Sequence, residues 1–260
     1  MINEMRQASF FRTWSYINPE FQSGYEWFLK NKDHLEKEVI WKTRHKRVYK
    51  IAVPKKYGGG FIAYKAYNEQ RLIRYFLRYS LAYREGQGFI TAENLGIPAI
   101  KVLAFGEKRF GFWLRSAFFI SRFAEDYQSG RVLVHKSMNN AEKMLQDAFI
   151  RKNLQYLAYL HNAGYLHGGA HYDNFMWKLN AAGEMSVLWL DLATVKEFTA
   201  PERNESILKD VRMFLKCFDL TENEIREYVK CYQKNSIGID VPPDFIKDIY
   251  QKKKEKKRIL

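Results

Sequence analysis

The period of the apolar residues changes part-way along the chain, and that change limits the folds open to it more than any other feature. Between residues 38 and 67 stand three short runs, EVIWK, RVYKIAV and FIAYKAY, rich in Val, Ile and Tyr and so suited to a pleated surface. TRHK and PKKYGGG separate them, and glycines 58–60 predict a loose hairpin turn, since glycine takes positive φ without a steric penalty. Helical pattern then spans Asn68 to Leu95 and stops at Gly96 and Pro98. Two more β segments follow, IKVLAF and FGFWLR/AFFISRF, joined through Gly106–Gly111.

Past a polar crossing at 124–130, AEDYQSG, the period becomes helical. Within 140–162, Ile150, Leu154, Leu157 and His161 share one stripe. GYLHGGAHYDNFMWKL, the turn NAAGEM and the run SVLWLDLATV read as a small β-hairpin. Two helices come last, one over 206–217 and one from Thr221, where Glu224 completes a capping box. Five strands and then a helical half predict a two-lobed α+β fold, with a small antiparallel β N-lobe and a mainly helical C-lobe. The expected division is an N-terminal extension at 1–37 with some helix around 20–37, an N-lobe at 38–123, and a C-lobe at 124–260 ending in the basic tail QKKKEKKRIL.

With 260 residues the chain can bury a sizeable core, and 16% aromatic content argues against disorder. A formal net charge of +14 predicts an anionic partner: nucleic acid, an acidic lipid surface or a phosphorylated substrate. Cys217 and Cys231 make neither a disulfide framework nor a metal cluster, which suits a reducing compartment. The N-terminal segment has no continuous apolar run, and no stretch approaches eighteen apolar residues. The expectation is a cytosolic protein able to sit on a membrane.

Phosphoryl transfer needs a cation for the nucleotide phosphates, oxygen ligands for magnesium and a group that orients the acceptor hydroxyl. Candidates for each occur in the order a kinase fold would place them. Lys65 lies on the third strand with Phe61 and Ala63 on its face; among 43 Lys and Arg its place in that order is what singles it out. Glu85 and Glu93 on the following helix are possible ion-pair partners, and the spacing before GIP favours Glu85. The segment HNAGYLHGGAHYDNF is more specific: a buried helix ends at Gly164, a His-Gly turn follows, and Asn174 stands seven residues beyond His167. Asp191 lies in the apolar strand VLWLDLA, where a carboxylate needs a partner or a metal; a turn cap is the alternative.

Lys65, LGIP at 95–98, YLHNAGYLHGGAHYDNF and WLDLA together resemble the lipopolysaccharide core kinases, the heptose and Kdo (3-deoxy-manno-octulosonic acid) kinases, over residues 40–220. These motifs are shared with the wider protein-kinase-like superfamily, including aminoglycoside and choline kinases. The resemblance implies a protein-kinase-like fold using ATP and Mg2+. It implies that Lys65 contacts the nucleotide phosphates, Asn174 and Asp191 hold magnesium, His167 and His171 brace the loop, and Asp210 belongs to the helix that supports it. The acceptor it implies is an anionic lipopolysaccharide core or lipid A, met at the cytoplasmic face of the inner membrane.

One position departs. The kinase loop reads H-x-D-x-x-x-x-N, its Asp orienting the attacking hydroxyl, and that place holds Gly169. Three readings stand: a divergent kinase in which Asp173 or His171 does the work, a pseudokinase that binds nucleotide or glycolipid, or an introduced inactivating glycine. The phosphate-covering loop departs too, with TRHKR and no glycine, so that Arg44, His45 and Lys46 would meet phosphates by side chain. Arg71, Arg74 and Arg78 recur on one helix face opposite Leu72, Ile73, Phe76 and Leu77. With KKKEKKR they point to an anionic membrane surface. No nucleic-acid-binding motif accompanies this charge.

Overall fold

The alternating runs build one antiparallel sheet. In the computed structural model, which describes residues 11–44, 46–67, 75, 78–134, 138–198 and 203–251, strands β1 (Phe11–Ile17), β2 (Glu38–Lys42), β3 (Lys46–Ala52), β4 (Phe61–Tyr67), β5 (Val102–Phe110) and β6 (Trp113–Arg122) pair in the order β1-β5-β6-β4-β3-β2. This sheet has six strands where the pattern predicted five. The additional one, β1, comes from the expected N-terminal extension and pairs with β5 along its whole length. Nor does Gly106 break β5 into a connection: a Cβ there would lie 2.6 Å from the Trp14 carbonyl, so the glycine lets β1 lie close against an unbroken strand. Glycines 58–60 all take positive φ, forming the turn expected of them, and Arg122 donates to the carbonyls of Gly58 and Gly59.

Helices cover both faces of this sheet. On one side α1 (Gln22–Asn31) packs Tyr25 and Phe28, with Phe21 before it, against Ile51, Val53, Ile62, Leu103, Ala104 and Ile120. On the other lies α2 (Leu81–Asn94): its Phe89 stacks on Phe119, the neighbour of Ile120 in β6 and therefore on the opposite face. A Cβ on Gly86 of α2 would fall 2.5 Å from the Phe105 ring, so this glycine lets the helix close onto the sheet.

The chain divides into two compact units, Met1–Thr91 with Ile100–Glu125, and Ala92–Ala99 with Asp126–Leu260. The second unit is organised on α3 (Asn140–Asn162), whose Asn139 and Glu142 form a capping box. Ile150, Leu154, Leu157 and His161, the expected stripe, are all buried. Part of the polar crossing forms β7 (Gln128–Ser129), which pairs with β9 (Phe175–Leu179); β9 and β10 (Met185–Trp189) make the expected hairpin. A short pair, β8 (Tyr165–Leu166) with β11 (Lys196–Glu197), was not read from the sequence. Helices α4 (Arg203–Leu215) and α5 (Glu222–Asn235) follow, the latter capped by Thr221 and Glu224, with a last helical stretch at 245–251. In the core Phe175 packs edge to ring with Trp189 and Phe214, Phe149 meets Phe214 at a tilt, and Trp189 Nε1 donates to buried Asn153 Oδ1 at 2.9 Å.

Cys217 and Cys231 are not joined in a disulfide, and Cys217 Sγ donates to the Met213 carbonyl at 3.1 Å. Among the described residues no helix is long and apolar enough to cross a membrane. His45, Arg71, Leu72, Ile73, Arg74, Phe76, Leu77 and the tail KKKEKKR lie outside the described residues.

Candidate active site

In the first unit, strand alternation fixes where Lys65 points. It pairs with Phe119 across β4 and β6 and so lies on the face that α2 covers, and Tyr67, two residues on, shares that face. Glu85 stands four residues before Phe89 on α2 and therefore on the same side of the helix. The result is a buried junction. Glu85, fully buried, accepts from Lys65 Nζ at one carboxylate oxygen and from the Tyr67 hydroxyl at the other. Two donors offset the desolvation that an unpaired buried carboxylate would suffer. Lys65 Nζ also sits 5.3 Å from the Phe119 ring centroid. Glu93, the other candidate partner, is exposed.

In the second unit a loop is held from below by one carboxylate. The α3 stripe ends at His161, the chain turns at Gly164, and β8 leads into His167. Asp210 on α4 is buried and accepts from the backbone N–H of His167 at 2.6 Å and of Gly168 at 3.0 Å. It also lies 3.3 Å from His161 Nε2, whose other ring nitrogen meets the Tyr232 hydroxyl at 2.7 Å. Burial opposes ionisation of Asp210, but the His161 hydrogen bond, the neighbouring histidines and the Gly168 N–H together hold its carboxyl below the usual range.

Farther along this loop, Asn174 Nδ2 donates to the Gly169 carbonyl at 2.8 Å, and the Asn174 carbonyl accepts from Leu190 N–H at 2.7 Å. That second bond sets Asn174 beside the backbone that carries Asp191. Asp191 lies just past the end of β10 rather than within a strand as the sequence pattern suggested, at φ +50, the one described non-glycine residue with positive φ. Asp tolerates this region better than most side chains, and residues held there cluster at functional sites.

His167 is fully buried against the rings of Phe175 and Trp189, at 5.3 and 5.2 Å. Burial pushes its pKa down to about 4. In the unfolded chain the same imidazole takes up a proton at an ordinary pKa of about 6.5, so its neutral burial contributes fully above that pH. The contribution is lost as pH falls through the folded value. Stability should therefore decline by about 3 kcal/mol between those two pH values. Urea unfolding across that window checks this; His167→Phe should flatten the decline, and an equal slope in the variant would refute the assignment.

The lipopolysaccharide kinase (Kdo/WaaP) family matches residues 35–232. The chain belongs to that family. Kinase, transferase and lipopolysaccharide core biosynthesis are thus its family's activity and setting. Among solved structures, WaaP in complex with acyl carrier protein aligns at a TM-score of 0.67 with 14% identity, covering 93% of this chain and 98% of that one. The kinase domain of Mycobacterium tuberculosis PknI, as its C20A_R136A double mutant, aligns at 0.48 with 12% identity, covering 83% of this chain and 94% of that one. No curated protein matches the chain. The fold is protein-kinase-like, as the motif order implied.

At Gly169, where the sequence pattern leads one to expect an aspartate, a side chain would have little room. A Cβ there would lie 3.0 Å from Thr194 Oγ1 and 3.7 Å from Asn174 Nδ2. The Thr194 hydroxyl donates to the His167 carbonyl at 2.8 Å. Asp173, the nearest candidate substitute in sequence, is held by Arg131 in a two-point pair, with Nε to Oδ1 at 2.9 Å and Nη2 to Oδ2 at 3.0 Å. Both carboxylate oxygens of Asp173 are thus engaged by one guanidinium. His171 Nδ1 caps the short turn Tyr172–Asn174, accepting from Asp173 N–H at 3.5 Å, and its ring packs on Tyr172.

Asn174 and Asp191 are the residues here that could hold a metal. Asn174 keeps its amide oxygen for a ligand, since its NH2 is spent on Gly169, and Asp191 adds a carboxylate. No group of three or more His, Cys, Asp or Glu able to hold a metal occurs among the described residues. Two oxygen ligands fit an ion that takes most of its shell from water and substrate phosphates. Three contributors escaped sequence reading. Tyr67 was accessible by simple alternation from Lys65, whereas Arg131 and Thr194 come from 42 and 27 residues away from their partners and carry no local signal.

Proposed function

We propose that the chain is an ATP- and magnesium-dependent kinase that phosphorylates a heptose or Kdo sugar of the lipopolysaccharide inner core, peripherally attached to an anionic membrane surface. The observation that carries this is the Asp210 grip on the backbone of His167 and Gly168, which presents Asn174 beside the Asp191 backbone. A buried carboxylate under two backbone amides fixes the start of the loop that carries Asn174. In this reading Lys65, fixed by Glu85 and Tyr67, offers its ammonium to the nucleotide phosphates. Asn174 and Asp191 hold the metal, which when bound neutralises charge on the transferring phosphate.

Phosphoryl transfer depends mainly on positioning and electrostatics, so Gly169 lowers the rate without removing the binding machinery. A second reading, a pseudokinase, is favoured by one observation: Asp173 is engaged by Arg131 and leaves the loop without a free carboxylate near Gly169. The WaaP complex with acyl carrier protein adds a partner class to test on this basic chain.

Thermal shift with Mg-ATP and transfer of radiolabelled phosphate to core oligosaccharide test the proposal together. We expect stabilisation by Mg-ATP and measurable transfer, with Asp191→Asn, which keeps a side chain tolerant of positive φ, abolishing the magnesium dependence of both. Stabilisation without transfer would establish the pseudokinase. No response to Mg-ATP would overturn the kinase reading and leave only a glycolipid-binding pseudokinase, and transfer to an aminoglycoside or choline instead would reassign the acceptor.

A further inference from the structure

At the end of the β5–β6 hairpin the chain places aromatic side chains where a soluble surface usually carries polar ones. Phe110 pairs with Trp113 across a two-residue turn, Gly111-Phe112, and Gly111 takes φ +54 as a tight hairpin with glycine first requires. Phe110, Phe112 and Trp113 are 43%, 54% and 39% exposed. Apolar burial resumes at once with Leu114, so within this hairpin the exposed aromatic side chains are confined to the tip.

The tip is braced. The Arg109 guanidinium pairs with buried Glu107 and donates to the carbonyls of Phe112 at 3.0 Å, Tyr75 at 3.2 Å and Arg78 at 2.6 Å. Glu107 in turn accepts from Ser80 N–H at 3.2 Å. A largely buried ion pair therefore fixes both the turn and the segment before α2, and that segment adds Tyr79, 61% exposed and stacked on Tyr83. Exposed Arg78, Lys108 and Arg115 flank these rings. Amphipathic aromatic rings with a cationic collar match the chemistry of a bilayer boundary, where rings enter the headgroup layer and cations meet phosphates.

We propose that the β5–β6 tip is a membrane anchor that seats the protein on an anionic phospholipid bilayer. The inference builds on the membrane attachment proposed above and names the element that performs it. Charge complementarity selects the occupant, because the collar is basic and the whole chain carries +14. A rigid tip enters the interface without an ordering cost at the moment of binding.

Co-sedimentation of the full chain with vesicles of phosphatidylcholine, with and without phosphatidylglycerol, tests it. Wild type should bind the anionic vesicles in a salt-sensitive manner and the neutral ones much more weakly. The triple variant Phe110→Ser, Phe112→Ser, Trp113→Ser should weaken anionic-vesicle binding by about tenfold or more. The variant should keep a cooperative thermal melt, and its Mg-ATP shift should stay as in wild type, which separates this test from that of the kinase reading. If the triple variant does not fold, Phe112→Ser at the turn alone should still reduce binding measurably. A folded variant that binds as wild type does would overturn the anchor. So would a wild-type protein indifferent to phosphatidylglycerol whose tip is instead protected by an acidic protein in hydrogen exchange.

Discussion

Replacing Gly169 by aspartate should raise the rate of phosphate transfer to a core-sugar acceptor by about 10²–10⁴-fold, the range that one positioned proton-accepting group supplies. The site can take the new side chain. Gly169 has no left-handed backbone to strain, and its Cβ would meet only the Thr194 hydroxyl closely, at 3.0 Å, a contact that a shift of a few tenths of an ångström relieves. The new carboxylate would follow His167 and Gly168, the two backbone amides that Asp210 already fixes, so the position is preorganised. Steady-state transfer assays on Gly169→Asp and wild type read the ratio. A fall would mean the site has been rebuilt around another group, and Asp173→Asn would then be the first variant to compare. Because Arg131 already occupies Asp173, we expect that variant to change the rate far less.

Asp210→Ala should lower folding stability by about 3–5 kcal/mol, as when one partner of a buried charged network is removed. Three groups would lose their acceptor at once: the amides of His167 and Gly168 and the His161 ring. The Tyr232 hydroxyl would then be left against an unanchored imidazole. Asp210→Asn, which keeps one acceptor oxygen, should cost distinctly less. Denaturant midpoints at neutral pH distinguish the pair of variants, and equal losses would mean that burial volume rather than the network sets the effect.

Much of this architecture was readable before any coordinates because its determinants are local. β2 and β4 coincide with EVIWK and FIAYKAY, and α3 coincides with the helical run 140–162, since alternation and a buried stripe are properties of neighbouring residues. What could not be read is what depends on distant chain. β1 looks like a mixed aromatic segment on its own; only pairing with β5, some ninety residues on, makes it a strand. The same holds at the site. Lys65, Asn174 and Asp191 stand out by order and spacing, yet the occupation of Asp173 by Arg131 arises from a contact with no sequence signature. The choice of Glu85 over Glu93 rested on spacing, and the fold gives it physical content: both stand four residues from Phe89, but of the two only Glu85 is buried and meets Lys65.

The placement of β1 and α1 bears on where this molecule can be cut. The family match begins at residue 35, but the folding unit begins earlier. A chain started at that residue would leave the β5 edge of the sheet without its partner and strip Phe21, Tyr25 and Phe28 from the apolar face they cover. Both defects invite strand-to-strand aggregation. The boundary drawn by kinship and the boundary drawn by solubility are therefore different places in this protein, and an expression design that respects only the first would be studying insoluble material.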